Sequence, residues 1–163
     1  MAPLDANGIE ATEIRVQAFG PRAMKLLDAF EGDPWLDFAR RGDDGGLPEC
    51  VGRDVLAAFD GDEPVGLLVV DRSPLGIELT IAVLSARRRC GVGSVLIAHA
   101  DRLARDERVN LWVRVARANQ AAIAFFENHG FEAESPPPTR AFDGLELEEP
   151  AIVESHVCYV LVR

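Results

Sequence analysis

The chain has 163 residues, a formal net charge of −10, 48% hydrophobic and 27% charged side chains, values that suit a single globular domain. No run of about 18 apolar residues occurs, so no membrane partner is expected, and the acidic balance argues against a nucleic-acid partner. Cys50, Cys90 and Cys158 are odd in number and far apart, which fits neither a zinc site nor a disulfide framework, so reduced thiols and no metal are expected.

Residues 1–10 read as a loose lead-in with no basic-then-apolar leader, which makes the cytoplasm the expected setting. Residues 12–19 alternate polar and apolar, with Ile14, Val16 and Ala18 on one face, and predict a strand. Gly20-Pro21 breaks it and opens a helix with a stripe of Met24, Leu26, Leu27 and Phe30. A short second helix is expected from Trp35 to Arg40, followed by an irregular segment over residues 42–49. Residues 54–59 and 64–70 are two strands, and Asp60-Gly61-Asp62-Glu63 between them is a hairpin signal. An apolar strand over residues 77–84 and a helical run over 95–104 follow, separated by an Arg- and Gly-rich loop.

Residues 110–115 predict another strand, with Leu111, Val113 and Val115 on one face and Trp112 and Arg114 on the other. Asn119 can cap a helix that runs to His129, and Gly130 stands where a left-handed residue ends it, so that Phe131 can pack back on Phe126. Residues 131–134 start a strand cut off by Pro136-Pro137-Pro138. An acidic loop over 135–153 leads to a last strand over 155–162, carrying Val157, Tyr159 and Leu161. The expected order is β, α, α, β, β, β, α, β, α, β, β: mixed α/β, in one domain over residues 1–163, with a core of about 12–134.

Charge is distributed unevenly. Residues 87–117 hold eight arginines against Asp101, Asp106 and Glu107, whereas residues 28–63 hold eleven acidic residues against three arginines. The basic island surrounds Arg87-Arg88-Arg89-Cys90-Gly91-Val92-Gly93-Ser94. Strand, arginines, two spaced glycines and a helix start suit an anion: first-turn N–H groups face it, glycine lets the backbone approach, and arginine adds charge. A P-loop would need a lysine between Gly93 and Ser94, and a dinucleotide fingerprint would need glycine where Leu96 stands. Cys90, a thiol among arginines at a helix start, is either acidified there or an inert filler.

Val83 through Gly93 resembles the acyl-CoA signature of the GNAT N-acyltransferases, a strand valine followed by Arg/Gln-x-x-Gly-x-Gly/Ala, with Arg88, Gly91 and Gly93 on the pattern. Asn119 through Phe131 resembles that family's Asn-x-x-Ala-x-x-x-Tyr-x-x-x-Gly-Phe segment, matched at Asn119, Ala122, Gly130 and Phe131. The resemblance implies a mostly antiparallel mixed sheet. Its central strand would carry a bulge and splay from its neighbour, leaving a gap for pantetheine. Backbone at Ile81 and Val83 would then bind pantetheine. N–H groups of Arg89, Cys90, Gly91, Val92, Gly93 and Ser94 would hold the pyrophosphate of acetyl-CoA. Arg88 or Arg89 would add charge, and Asn119 would contact the cofactor unless it serves only as a cap.

The resemblance further implies direct acyl transfer to a primary amine of a small molecule or protein. A backbone N–H near Val83 would stabilise developing charge, and Glu78 would be the candidate base; the competing reading of Glu78 is an exposed strand residue. By the resemblance Phe126 would line the cofactor site, at a position where many members carry a tyrosine that protonates the leaving thiolate. That departure leaves room for an acyl-CoA-binding regulatory or interaction module without turnover. The acidic flanks suit a cationic acceptor, and homodimers, common in the family, are expected. His99 is expected at the surface, His129 at a helix end where its charge is favoured, and His156 in a structural role.

Overall fold

The computed structural model describes residues 13–31, 52–134 and 156–162. The expected helix from Trp35 to Arg40, the irregular segment over 42–49 and the acidic loop over 135–153 lie outside them. Seven strands form one sheet: β1 (Ile14–Ala18), β2 (Arg53–Asp60), β3 (Glu63–Ser73), β4 (Gly76–Val83), β5 (Leu111–Ala116), β6 (Glu132–Glu134) and β7 (His156–Leu161). Their spatial order is β1-β2-β3-β4-β5-β7-β6, and every neighbouring pair is antiparallel except β4 with β5. Three helices, α1 (Lys25–Phe30), α2 (Val92–Glu107) and α3 (Gln120–Asn128), complete the described residues. The mixed α/β architecture expected from the sequence is therefore present.

The alternation of each strand divides its apolar side chains between two faces. On one face Leu68, Val70, Ile77, Leu79, Leu111, Val113 and Val115 meet Val92, Leu96, Ala100 and Ala104 of α2 and Phe126 of α3. On the other, Ala57, Phe59, Leu67 and Ala82 meet Ala23, Leu26, Leu27 and Phe30 at α1. Met24, expected in that stripe, is 38% exposed; the backbone turns tightly over Pro21–Ala23 before α1 begins and brings Ala23 inward instead. Each fully buried leucine contributes about 2 kcal/mol, so these two layers fix which face of β4 looks at which helix.

The β2–β3 hairpin closes on two residues, Gly61 and Asp62, with Gly61 at a φ of 59°, as a two-residue turn with glycine first requires. The bulge expected in β4 is absent: its register with β3 runs unbroken from Gly66–Val83 to Ser73–Gly76. The irregularity lies one strand away. Ala58 pairs with Gly66 and Phe59 with Pro64, which leaves Val65 as the extra residue of β3. Val65 is buried and joins the core, so its apolar side chain has a reason to turn inward there.

His99, on α2, is half-buried rather than at the surface, and burial, aided by the Arg102 charge, lowers its pKa below the ordinary 6.5. The unfolded chain then takes up this proton at higher pH than the folded chain, so the fold loses stability as pH falls through and below 6.5. Thermal unfolding of His99→Gln at about pH 7.5 and about pH 5.5 should show a smaller loss on acidification than the parent chain; an equal loss would place the acid sensitivity elsewhere.

Candidate active site

β4 and β5 run parallel, yet they share only two register pairs, Ile77 with Leu111 and Glu78 with Trp112. From Leu79 to Val83, β4 keeps β3 on one edge and has no ladder to β5 on the other. The closed end is set by Gly76. Its φ of 123° and its lack of a side chain let the chain lie against Asn110, whose carbonyl accepts from the Ile77 N–H at 3.0 Å. The strands then part, and the edge of β4 presents backbone donors and acceptors to the gap. An extended ligand can satisfy such an edge as an added strand would.

At the open end stands the arginine and glycine loop. Leu84 leads into a 3-10 turn over Ser85–Arg87, Arg89 and Gly91 are both left-handed (φ 62° and 82°), and α2 starts at Val92. Val95 N–H bonds back to the Gly91 carbonyl, so the N–H groups of Val92, Gly93 and Ser94 precede the helical ladder and point out of its start. Left-handed residues just before a helix make a concave array of N–H groups suited to an anion. Arg88 donates from Nε to the Val83 carbonyl at 3.3 Å, which ties its guanidinium to the end of β4. Cys90 is exposed, with Sγ 3.6 Å from the Arg88 carbonyl.

The expected loop residues Arg88, Arg89, Cys90, Gly91, Val92, Gly93 and Ser94 thus lie together at one mouth, although the Val92 side chain itself is core. Arg87 is an anchor: it pairs with Asp60 at 2.9 Å and Glu63 at 2.8 Å, fastening the loop to the β2–β3 hairpin. The hydrogen bond it donates to Glu63 and the charge of Asp60 both raise its pKa, so it stays cationic.

Arg89 is a non-glycine residue in a conformation that costs about 1 kcal/mol. Arg89→Gly should therefore leave the melting temperature unchanged or higher, while removing a positive charge from the mouth. Calorimetry with CoA should show a several-fold weaker association; unchanged affinity would mean that Arg89 serves the turn alone.

The facing wall belongs to α3. Asn119 caps it, Oδ1 accepting from the Ala122 N–H at 3.1 Å, and its side-chain NH2 has no partner among the described residues. Gly130, at a φ of 83°, ends the helix as expected; Phe131 N–H reaches the Phe126 carbonyl at 3.1 Å, and the two rings stand edge to face at 5.3 Å. Phe126 is 6% exposed and also packs edge to face on Phe125. Phe125 in turn lies over Gly93: a Cβ there would come within 2.8 Å of its Cζ. A side chain at position 93 would therefore have to displace the Phe125 ring, a packing demand separate from the approach of any ligand.

On the face of the sheet away from α2, Glu78 is only 6% exposed. It is not the exposed strand residue of the competing reading. Its Oε1 accepts from Arg114 Nε at 2.9 Å, and the Arg114 guanidinium stands 5.9 Å from the centre of the Trp112 ring. Glu78 belongs to β4 and Arg114 to β5, so this ion pair bridges the strands just beyond their last ladder pair. Trp112, on the same face as Arg114, is buried as well. Trp35 and the side chain of His156 lie outside the described residues.

Tyr159 does not stand in for a phenol at Phe126. It belongs to β7, on the far side of β5 from the gap, and its hydroxyl donates to Glu127 at 3.3 Å. Burial, together with the negative charge of Glu127, raises its pKa above the usual range and makes it a weaker proton donor.

Sequence reasoning did not find Gly76, the Arg114 pairing of Glu78, or the contacts of Phe125 and His129 with the start of α2. The alternation of β5 held a signal for Arg114, since it already placed Arg114 on the face opposite Val113. The others depend on neighbours more than thirty residues away.

A sheet opened between two parallel strands, with a helix start at its mouth, is the arrangement of an acyl-CoA-dependent acyltransferase fold. The acetyltransferase (GNAT) family profile matches residues 16–131, most of the chain, and the protein belongs to that family. Among solved structures, the GNAT domain of S. lividans PAT is 21% identical, with a TM-score of 0.65, over 91% of this chain and 89% of its own. A Bacillus subtilis acetyltransferase solved in complex with CoA is 17% identical, with a TM-score of 0.66, over 93% and 99%. A GNAT acetyltransferase from Elizabethkingia anophelis, solved with acetyl-CoA bound, is 14% identical, with a TM-score of 0.65, over 92% and 98%. No curated protein matches the chain. Among the described residues no helix is long and apolar enough to cross a membrane, and no group of His, Cys, Asp and Glu side chains is placed to hold a metal.

Proposed function

We propose that the protein transfers an acetyl group from acetyl-CoA directly to a primary amine of a small cationic molecule or of a protein. The observation that carries this reading is the gap between β4 and β5, which has the N–H array of α2 at its mouth and the buried Glu78 at its closed end. The residues fit the co-substrate. Val92, Gly93 and Ser94 offer N–H groups to the pyrophosphate, and Arg88 and Arg89 offer charge. The unpaired edge of β4 around Ile81 and Val83 offers backbone to the pantetheine arm.

An arm that enters beside α2 and follows β4 inward carries its thioester toward the closed end. A β4 backbone N–H facing the gap then stabilises negative charge developing on the carbonyl oxygen. Backbone N–H groups alternate along a strand, and that of Ile77 meets Asn110 on the β5 side, so the gap-facing donor nearest the closed end is the Leu79 N–H, deeper than Val83. Glu78 holds a carboxylate at the same end, on the face away from α2, where it takes the proton from the acceptor's ammonium, directly or through water, and frees the amine to attack. Positioning supplies much of the remaining rate. A thiol departs with a pKa of about 8.5, so loss of a phenolic donor at Phe126 is tolerable. Release of free thiol from acetyl-CoA over a panel of amines tests the proposal, and silence across the panel would sink it.

One observation favours a second reading, an acyl-CoA-binding module without turnover: Phe126 and Tyr159 together leave no phenol at the gap, and Arg114 engages the Glu78 carboxylate. That reading expects acetyl-CoA to bind in calorimetry while no amine is acetylated; any measured turnover removes it.

A further inference from the structure

The end of α3 reaches the start of α2 through a histidine that neither the family signature nor the proposed mechanism uses. His129 Nδ1 lies 2.7 Å from the Phe125 carbonyl. A carbonyl only accepts, so Nδ1 carries a hydrogen and donates to it. Nε2 lies 3.0 Å from Ser94 Oγ, a hydrogen bond that the hydroxyl, both donor and acceptor, makes with either form of the ring. Ser94 is the third residue of α2. The His129 ring also packs against Phe125, centroid to centroid at 4.4 Å, and Phe125 in turn covers Gly93. Two consecutive residues of the first turn of α2 are thus held from behind by one turn of α3.

We propose that His129 is a positioning residue for the anion-binding turn: through Ser94 it fixes where the N–H groups of α2 point, and so tunes affinity for the pyrophosphate of CoA. The proposal rests on the acyl-CoA reading of the site. His129 would not touch the ligand in this arrangement; it holds the hydroxyl of the residue whose backbone N–H would. Asn119, capping the other end of α3, fixes the helix so that the far end has a firm base.

The test uses the full chain and CoA itself, with calorimetry and steady-state kinetics on the parent and on His129→Leu, Ser94→Ala and the double variant. A neutral hydrogen bond is worth about 1 kcal/mol, or about fivefold in affinity. His129→Leu should weaken CoA about fivefold and raise the KM for acetyl-CoA by a similar factor with kcat unchanged. Ser94→Ala should do the same, and the double variant should lose no more than either single change, because both remove one bond.

His129→Gln, which keeps a donor and an acceptor, should recover part of the loss. Equal CoA affinity in His129→Leu and the parent would overturn the proposal, as would losses that add in the double variant, the mark of Ser94 acting on phosphate independently. Ser94 is exposed, so Ser94→Ala against His129→Gln carries the test if His129→Leu does not fold; full affinity in Ser94→Ala then overturns it. A parent chain that binds no CoA removes the acyl-CoA reading, and this inference with it, whereas a parent that binds while the variants match it removes this inference alone.

Discussion

Gly76→Ala is expected to cost roughly 3 kcal/mol or more, a large share of the about 5–15 kcal/mol that holds a domain folded. Two effects add. The φ of 123° lies where a side chain is strained whatever the space around it, at about 1–3 kcal/mol. A Cβ would also be driven into the Asn110 carbonyl, which is the acceptor for Ile77 N–H. Backbone cannot rotate away as a side-chain tip can. The damage falls at the closed end of the gap, where β4 and β5 have only two register pairs, and so should reach the site as well. Chemical denaturation checks the first part. Any folded fraction should release little thiol from acetyl-CoA. A variant within about 1 kcal/mol of the parent would show that the β4 start relaxes freely.

Glu78→Gln is expected to lower kcat by about a hundredfold or more while leaving the KM for acetyl-CoA near that of the parent, the loss typical of a removed base. The split follows from placement. The N–H array and arginines that grip the phosphates lie at the other end of β4, whereas Glu78 lies at the closed end on the opposite face. Glutamine keeps the volume and an oxygen toward Arg114, so the bridge between strands is weakened rather than removed. Arg114→Leu is the counterpart. It deprives a buried carboxylate of a cation, a change that costs about 3 kcal/mol or more in buried pairs and somewhat less here, because a quarter of the Arg114 side chain is accessible (24%). Loss of stability in Arg114→Leu, with loss of turnover but not of stability in Glu78→Gln, would separate the two duties of the pair. Full activity in Glu78→Gln would assign the base to another group.

What could be read before the structure was what depends on nearby residues. The cap at Asn119, the left-handed Gly130 and the return of Phe131 onto Phe126 are settled within about a dozen positions, and each is found as expected. The hairpin at Gly61 is of the same kind. The sheet alternation of Leu111, Val113 and Val115 was equally local.

The harder features join distant parts of the chain. Gly93 looked like a residue kept small for phosphate; the Phe125 ring, thirty-two positions on, is what a Cβ would strike. Glu78 was balanced between base and exposed strand residue, and its burial depends on which strand lies beside β4 and where the two part. The bulge expected in β4 came with the resemblance and not with any residue of β4, whose register is regular. The extra residue is Val65, where an apolar side chain gains core by breaking the β2–β3 ladder.

The short contact between β4 and β5 has a thermodynamic consequence. The sheet is two ladders, β1 to β4 and β5-β7-β6, stitched edge to edge by two register pairs. A ligand lying along the open edge of β4 would act as an eighth strand, and its binding energy would be cohesion energy of the sheet. By linkage, saturating CoA at about a hundred times its Kd would add about 2.7 kcal/mol. The slowest amide exchange of β5 and β7 would then report ligand occupancy rather than the protein alone.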